Sequence, residues 1–168
     1  MIRQIVSFTL LSVMIMTMQN CNQRTPKDLE VGQRWSFQTR GGDSNATVLI
    51  LKVEQIADSK RVAHIRIDGL SIEGVTPEKK TSTIQHLPFD YDALRKDLIS
   101  VMASGEAIPQ FDGYYQWKKA YDAGKAGVFT TTVEEAVGFV EKANLQARES
   151  VKQNPTLDEI EVTVKKEG

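Results

Sequence analysis

Between Gln33 and Leu87 the apolar residues recur largely at every second position, and from Phe89 onward they recur at every third or fourth. This change of period constrains the fold more than any other feature. A spacing of two belongs to strands with one face buried, and a spacing near 3.6 belongs to helices with one buried stripe. A run of strands followed mainly by helices predicts an α+β domain: an antiparallel sheet, a meander of about four strands plus later ones, with about three helices packed on one face.

The first strand is expected over 33–39, where Trp35 and Phe37 share a face and the polar cluster 41–45 ends the run. Residues 47–56 (TVLILKVEQI) begin apolar on both faces, as in a strand covered on both sides. In 61–70, Ala63, Ile65 and Ile67 point one way and His64, Arg66 and Asp68 the other. A fourth strand is expected at about 81–87, after the loop that contains Gly74 and Pro77.

Asp90 is placed to cap a helix with Phe89 and Leu94 as its hydrophobic staple, and Tyr91, Leu94, Leu98, Val101 and Met102 form a stripe running to Gly105. Asp112 is expected to cap a second helix ending near Gly124, with Tyr114, Trp117 and Tyr121 at helical spacing. Thr132-Val-Glu-Glu135 reads as a capping box that opens a third helix. Its stripe comprises Val133, Ala136, Val137, Val140, Ala147 and Val151, and Asn154-Pro155 stops it. Ile160, Val162 and Val164 then alternate in an expected last strand.

The N-terminus follows a different logic. Residues 5–18 are apolar apart from Ser7, Thr9, Ser12 and Thr17, and Arg3 is the one charge in the first 20 residues. The run is long enough for the apolar region of a secretory leader and short of the ~20 residues a helix needs to cross a bilayer. No alanine precedes Ala46, so the small-residue cleavage site of an ordinary leader is missing. In its place, directly after the apolar run, stands Cys21, the chain's single cysteine. In these first 21 residues the sequence resembles a bacterial lipoprotein precursor, in which such a cysteine carries lipid and becomes the mature N-terminus. Met18, Gln19 and Asn20 stand where that family's motif typically has Leu, a small residue, and Gly or Ala. The resemblance implies a signal peptide over 1–20, lipidation at Cys21, and attachment of an exported protein to a membrane. Asn22, a residue other than Asp after the cysteine, implies by the same resemblance passage to the outer membrane. The polar stretch 22–29 (NQRTPKDL) suits a tether, taken as 21–31, and 32–168 reads as one domain. With one cysteine, no internal disulfide can form.

Charge removes one class of function. With 21 Lys+Arg against 22 Asp+Glu, and with Lys79-Lys80, Lys118-Lys119 and Lys165-Lys166 scattered, the chain lacks the basic concentration that nucleic acid requires. No phosphate-binding glycine loop, Cys-x-x-Cys, Gly-x-Ser-x-Gly or His-Glu-x-x-His occurs, and no residue is assigned as catalytic and no cofactor is expected.

Two groups of residues remain as candidates. If the strands flanking 70–80 pair through a symmetric loop, His64 faces His86 directly, with Asp68 two same-face positions further along. Two imidazoles and a carboxylate suit zinc or a general base pair, while strand histidines that each make one hydrogen bond are the plain alternative. The second group is aromatic: Phe111, Tyr114, Tyr115, Trp117 and Tyr121 fall within eleven residues. Tyr115 and Trp117 would suit sugar stacking or a protein partner, and the same spacing equally describes a core stripe. The expectation is a small exported envelope protein, anchored by lipid, acting as a non-enzymatic binding module for another envelope protein. The alternatives are a metal-binding protein or hydrolase centred on His64 and His86, and a glycan-binding module.

Overall fold

A computed structural model of the chain describes residues 28–57, 59–76 and 79–153. The leader, Cys21, most of the tether, the Asn154-Pro155 stop and the strand expected at 160–164 lie outside the described residues. Five strands, β1 (Arg34–Phe37), β2 (Thr47–Ala57), β3 (Lys60–Glu73), β4 (Lys80–Asp90) and β5 (Leu98–Ala103), form one antiparallel sheet in the order β4-β3-β2-β1-β5. Three helices, α1 (Tyr91–Asp97), α2 (Gly113–Asp122) and α3 (Val133–Gln153), pack against it. The α+β class is therefore the one the period change predicts.

The alternation determines where the core sits. Trp35 and Phe37 of β1, Val48 and Ile50 of β2, and Ala63, Ile65 and Ile67 of β3 join Leu94 and the first turn of α3 in one buried cluster. Each fully buried aliphatic side chain there contributes about 1.5–3 kcal/mol relative to exposure. Along β3 the core-facing set switches at Gly69, from odd positions before it to Leu70 and Ile72 after it. The pairing with β4 shifts register between Asp68 and Ile72, and a side chain at Gly69 would bring its Cβ to 2.6 Å from the Asn45 carbonyl oxygen. A bulge that needs glycine thus turns the strand's other side to the core.

Two expectations about helices are corrected. The stripe read as one helix to Gly105 divides: α1 ends at Asp97, and Leu98 adopts an extended conformation (ψ 134°) and opens β5 beside β1. Leu98 and Val101 fit a helical stripe and a strand equally well by spacing, and the open edge of β1 decides between them. Asp90 does cap α1, accepting from the amides of Asp92 and Ala93, whereas Asp112 is itself helical and makes no side-chain cap for α2.

The Thr132–Glu135 capping box forms as expected, with reciprocal bonds of 3.1 and 3.2 Å. Beyond Val140, however, the anticipated stripe of α3 is not buried among the described residues: Ala147 is exposed and Val151 is 45% exposed. Polar clamps hold this half instead. Glu141 accepts from Arg40 and from the Glu73 amide, and Arg148 donates to the Gly74 carbonyl at 2.6 Å.

The helices also divide between the faces. The first turns of α1 and α3 lie on the Ala63–Ile65 side, while α2 lies against His64 and so covers the opposite side, because its aromatic stripe meets the histidines rather than the aliphatic core. No helix among the described residues is long and apolar enough to cross a membrane.

Candidate functional site

The side of the sheet beneath α2 gathers ionisable residues from three adjacent strands. On β2, a register shift between Ile50 and Lys52 places Lys52 opposite His64 and Glu54 opposite Val62, so that Lys52 and Glu54 share the face of His64. His86 comes to this face from β4. His64 pairs across the ladder with Pro88 rather than with His86, because the turn between Glu73 and Lys80 and the register shifts between Asp68 and Ile72 and between Ile65 and Ile67 together leave the pairing offset by two residues at His64. The expected direct opposition is thus corrected to a diagonal one. An even offset keeps both rings on one face, and they still meet.

His64 Nδ1 lies 2.9 Å from His86 Nε2, and His64 Nε2 lies 2.9 Å from Glu54 Oε1. The ring centroids are 5.1 Å apart with planes inclined by only 14°, so at that nitrogen separation the imidazoles meet edge to edge. A carboxylate only accepts, so Glu54 requires the His64 proton on Nε2. His64 Nδ1 is then the acceptor, and His86 donates its Nε2–H to it. The result is a directed array from His86 through His64 to Glu54.

Burial sets the charges within this array. His64 is fully buried, and desolvation lowers its pKa against the opposing pull of Glu54. Burial, reinforced by repulsion from His64, brings His86 down to about 4. Burial alone would raise the pKa of Glu54, but hydrogen bonds from Lys52, His64 and Tyr114 outweigh it and leave Glu54 below its ordinary value. Lys52 is the converse: burial opposes its charge, and its bonds to Glu54 and Tyr114 more than compensate. At neutral pH the cluster holds two neutral imidazoles and one ion pair.

The aromatic segment closes over this pair. Tyr114 and Trp117 of α2 stand edge-on to His64, with centroids at 5.0 and 4.8 Å, and Phe111 lies 6.0 Å from the ring of His86. Tyr114 Oη accepts from Lys52 and donates to Glu54 Oε2 at 3.1 Å. Close approach depends on Gly113, where an added Cβ would come within 3.0 Å of His86 Cβ. Trp117 is buried, with its indole N–H bonded to the Gly127 carbonyl, whereas Tyr115 is 72% exposed and contacts Tyr114 alone among the aromatic rings.

Asp68 does not join the histidines. Its carboxylate takes hydrogen bonds from Arg66, Arg34 and Thr83, which outweigh the effect of burial and lower its pKa. The acid that meets His64 is Glu54, which sequence reasoning missed together with Lys52 and Tyr114. A partial signal existed: once β2 and β3 are read as a hairpin turning between Ala57 and Lys60, Lys52 and Glu54 come close to His64, and the register shift between Gln55 and Ala57 sets Lys52 directly opposite it.

Comparison with protein-family models, with curated proteins and with solved structures found no match to this chain. What the residues can do chemically therefore rests on their geometry. Both ring nitrogens of His64 are engaged, and among the described residues no group of three or more His, Cys, Asp or Glu side chains is placed to hold a metal ion. An open depression of about 460 Å³ between α1 and the start of α3 is lined by Ala93, Lys96, Asp97, Thr130, Thr131, Thr132 and Glu135, and includes neither histidine.

Proposed function

We propose that this chain is a non-enzymatic binding module of the bacterial cell envelope, exported and held to a membrane by lipid on Cys21. The observation that carries the reading is where the fold begins. Leu29 is already buried, and its amide donates to Tyr91 Oη at 2.7 Å, so only a short polar segment separates Cys21 from the packed domain. Seven residues, 22–28, span at most about 25 Å when fully extended. A leash of that length keeps the domain beside the membrane, as suits a protein that meets another envelope component. The polar cluster under α2 supports a binding role over catalysis, since its groups are spent on one another.

Cys21→Ser tests the anchor. The wild-type chain is expected in the membrane fraction of its own cells, and the variant as an unprocessed or released form without lipid. Equal membrane association of both would contradict the reading.

A second reading, a small metal-binding protein or hydrolase, draws on the 2.9 Å contact between His64 and His86. Isothermal titration with zinc at pH 7.5 separates the two: we expect no stoichiometric uptake, because His64 already binds through both nitrogens. Uptake of one equivalent that is lost in His64→Ala would favour the metal site instead.

A further inference from the structure

The way α2 is attached to the sheet differs from that of α1 and α3. Leu94 of α1 and Val133, Ala136 and Val137 of α3 enter the aliphatic core, which does not titrate. Apart from the bond of the Trp117 indole to the Gly127 carbonyl in the following loop, the contacts of α2 with the sheet run instead through Tyr114 and Trp117 to His64, through Tyr114 Oη to Lys52 and Glu54, and through Gly113 to His86. Every partner on the sheet side of these contacts is ionisable. At 10 residues, α2 is also shorter than the ~12–15 that an isolated helix needs to persist in water.

We propose that α2 is an acid-released strap: protons entering the His64–His86 pair detach it from the sheet. The reason lies in the N–H···N bond. It requires one of the two facing nitrogens to lack a proton, and when both rings are protonated two donors face each other at 2.9 Å. The charges around the pair do not relieve this. Among the described residues Glu54 is the single facing carboxylate and is shared with Lys52 on β2, while on α2 Tyr114 is bonded to both and Lys118 is paired with Asp122. Two imidazolium rings and Lys52 would leave three positive charges against one negative.

The sign follows from linkage. The histidines have lower pKa values in the docked state, so the undocked state binds protons more readily and acid favours release. Docking strength is full above the ordinary histidine value, falls as the pH drops from there, and levels off below the docked values, about 4 for His86. A change of one pH unit in proton affinity is tenfold, so His86, lowered from 6.5 to about 4, allows docking to weaken by up to about 300-fold across this window.

The test is ¹⁵N NMR of the full chain between pH 7.5 and 4. We expect the amides of 113–122 and the Trp117 indole N–H to lose protection from exchange, corrected for intrinsic rates, by at least about tenfold, while the buried Trp35 indole keeps its own. His86→Gln retains a donor toward His64 and cannot take a second proton, so its α2 should stay docked to pH 4. Undiminished α2 protection in the wild type at pH 4 overturns the proposal, as does release of His86→Gln at the wild-type pH. Should His86→Gln fail to fold, as judged by near-ultraviolet circular dichroism at pH 7.5, the wild-type protection still decides the matter.

Discussion

Glu54→Ala is expected to lower the stability at pH 7.5 by about 2–4 kcal/mol, an effect large for a partly exposed strand residue. Three groups lose a partner at once. His64, which has no exposed surface, is left with its Nε2–H lacking an acceptor, Lys52 loses its 2.6 Å ion pair, and Tyr114 loses the bond that orients it over the histidines. A buried donor without an acceptor alone costs about 1–3 kcal/mol, and the half-exposed Lys52 adds little because water screens it. Glu54→Gln keeps an acceptor oxygen for His64 and removes only the charge, so it should lose well under half as much. Urea unfolding of the three proteins measures the comparison. A loss below about 0.5 kcal/mol for Glu54→Ala would mean that the array does not hold β2, β3 and β4 together as described.

Trp35→Ala is expected to cost still more, about 3–5 kcal/mol, with a fall in Tm on the order of 10 °C. Trp35 has no exposed surface, its indole N–H donates to Gln33 Oε1 at 3.0 Å, and the Arg95 guanidinium lies 5.2 Å from its ring centroid. It sits on β1, between β2 and the edge strand β5, where short strands cannot readily collapse into the space left behind. Differential scanning calorimetry provides the test, and an unchanged Tm would contradict the placement of Trp35 at the centre of the core.

Much of the architecture was legible because it rests on local pattern. The alternation of Ala63, Ile65 and Ile67 against His64, Arg66 and Asp68 places the core side of β3, and the Thr132–Glu135 box places the start of α3. The errors lie where a long-range partner decides between two local answers. Leu98 to Met102 suits either a helix or a strand, and β1 recruits the segment into the sheet. The outer half of α3 carries an apolar stripe by spacing, yet Glu141, Asn144 and Arg148 hold it through the carbonyl, amide and carboxylate groups of 73–74.

The site was half legible for the same reason. Face parity survives a register offset of two residues, so His64 and His86 meet even though neither is the other's direct partner. Their carboxylate could not be chosen by parity alone. Asp68 and Glu54 both face the right way, and Arg34 and Arg66 take the first while His64 takes the second. Lipid attachment, in contrast, is a matter of the sequence around Cys21 and is tested by chemistry rather than by packing.

The most direct measurement is therefore the intact mass and N-terminal fragment spectrum of the protein purified from its own membranes. The account predicts a mature chain beginning at Cys21 with the mass of a diacylglyceryl group on that residue. A chain that begins elsewhere, or one that begins at an unmodified Cys21, would contradict it.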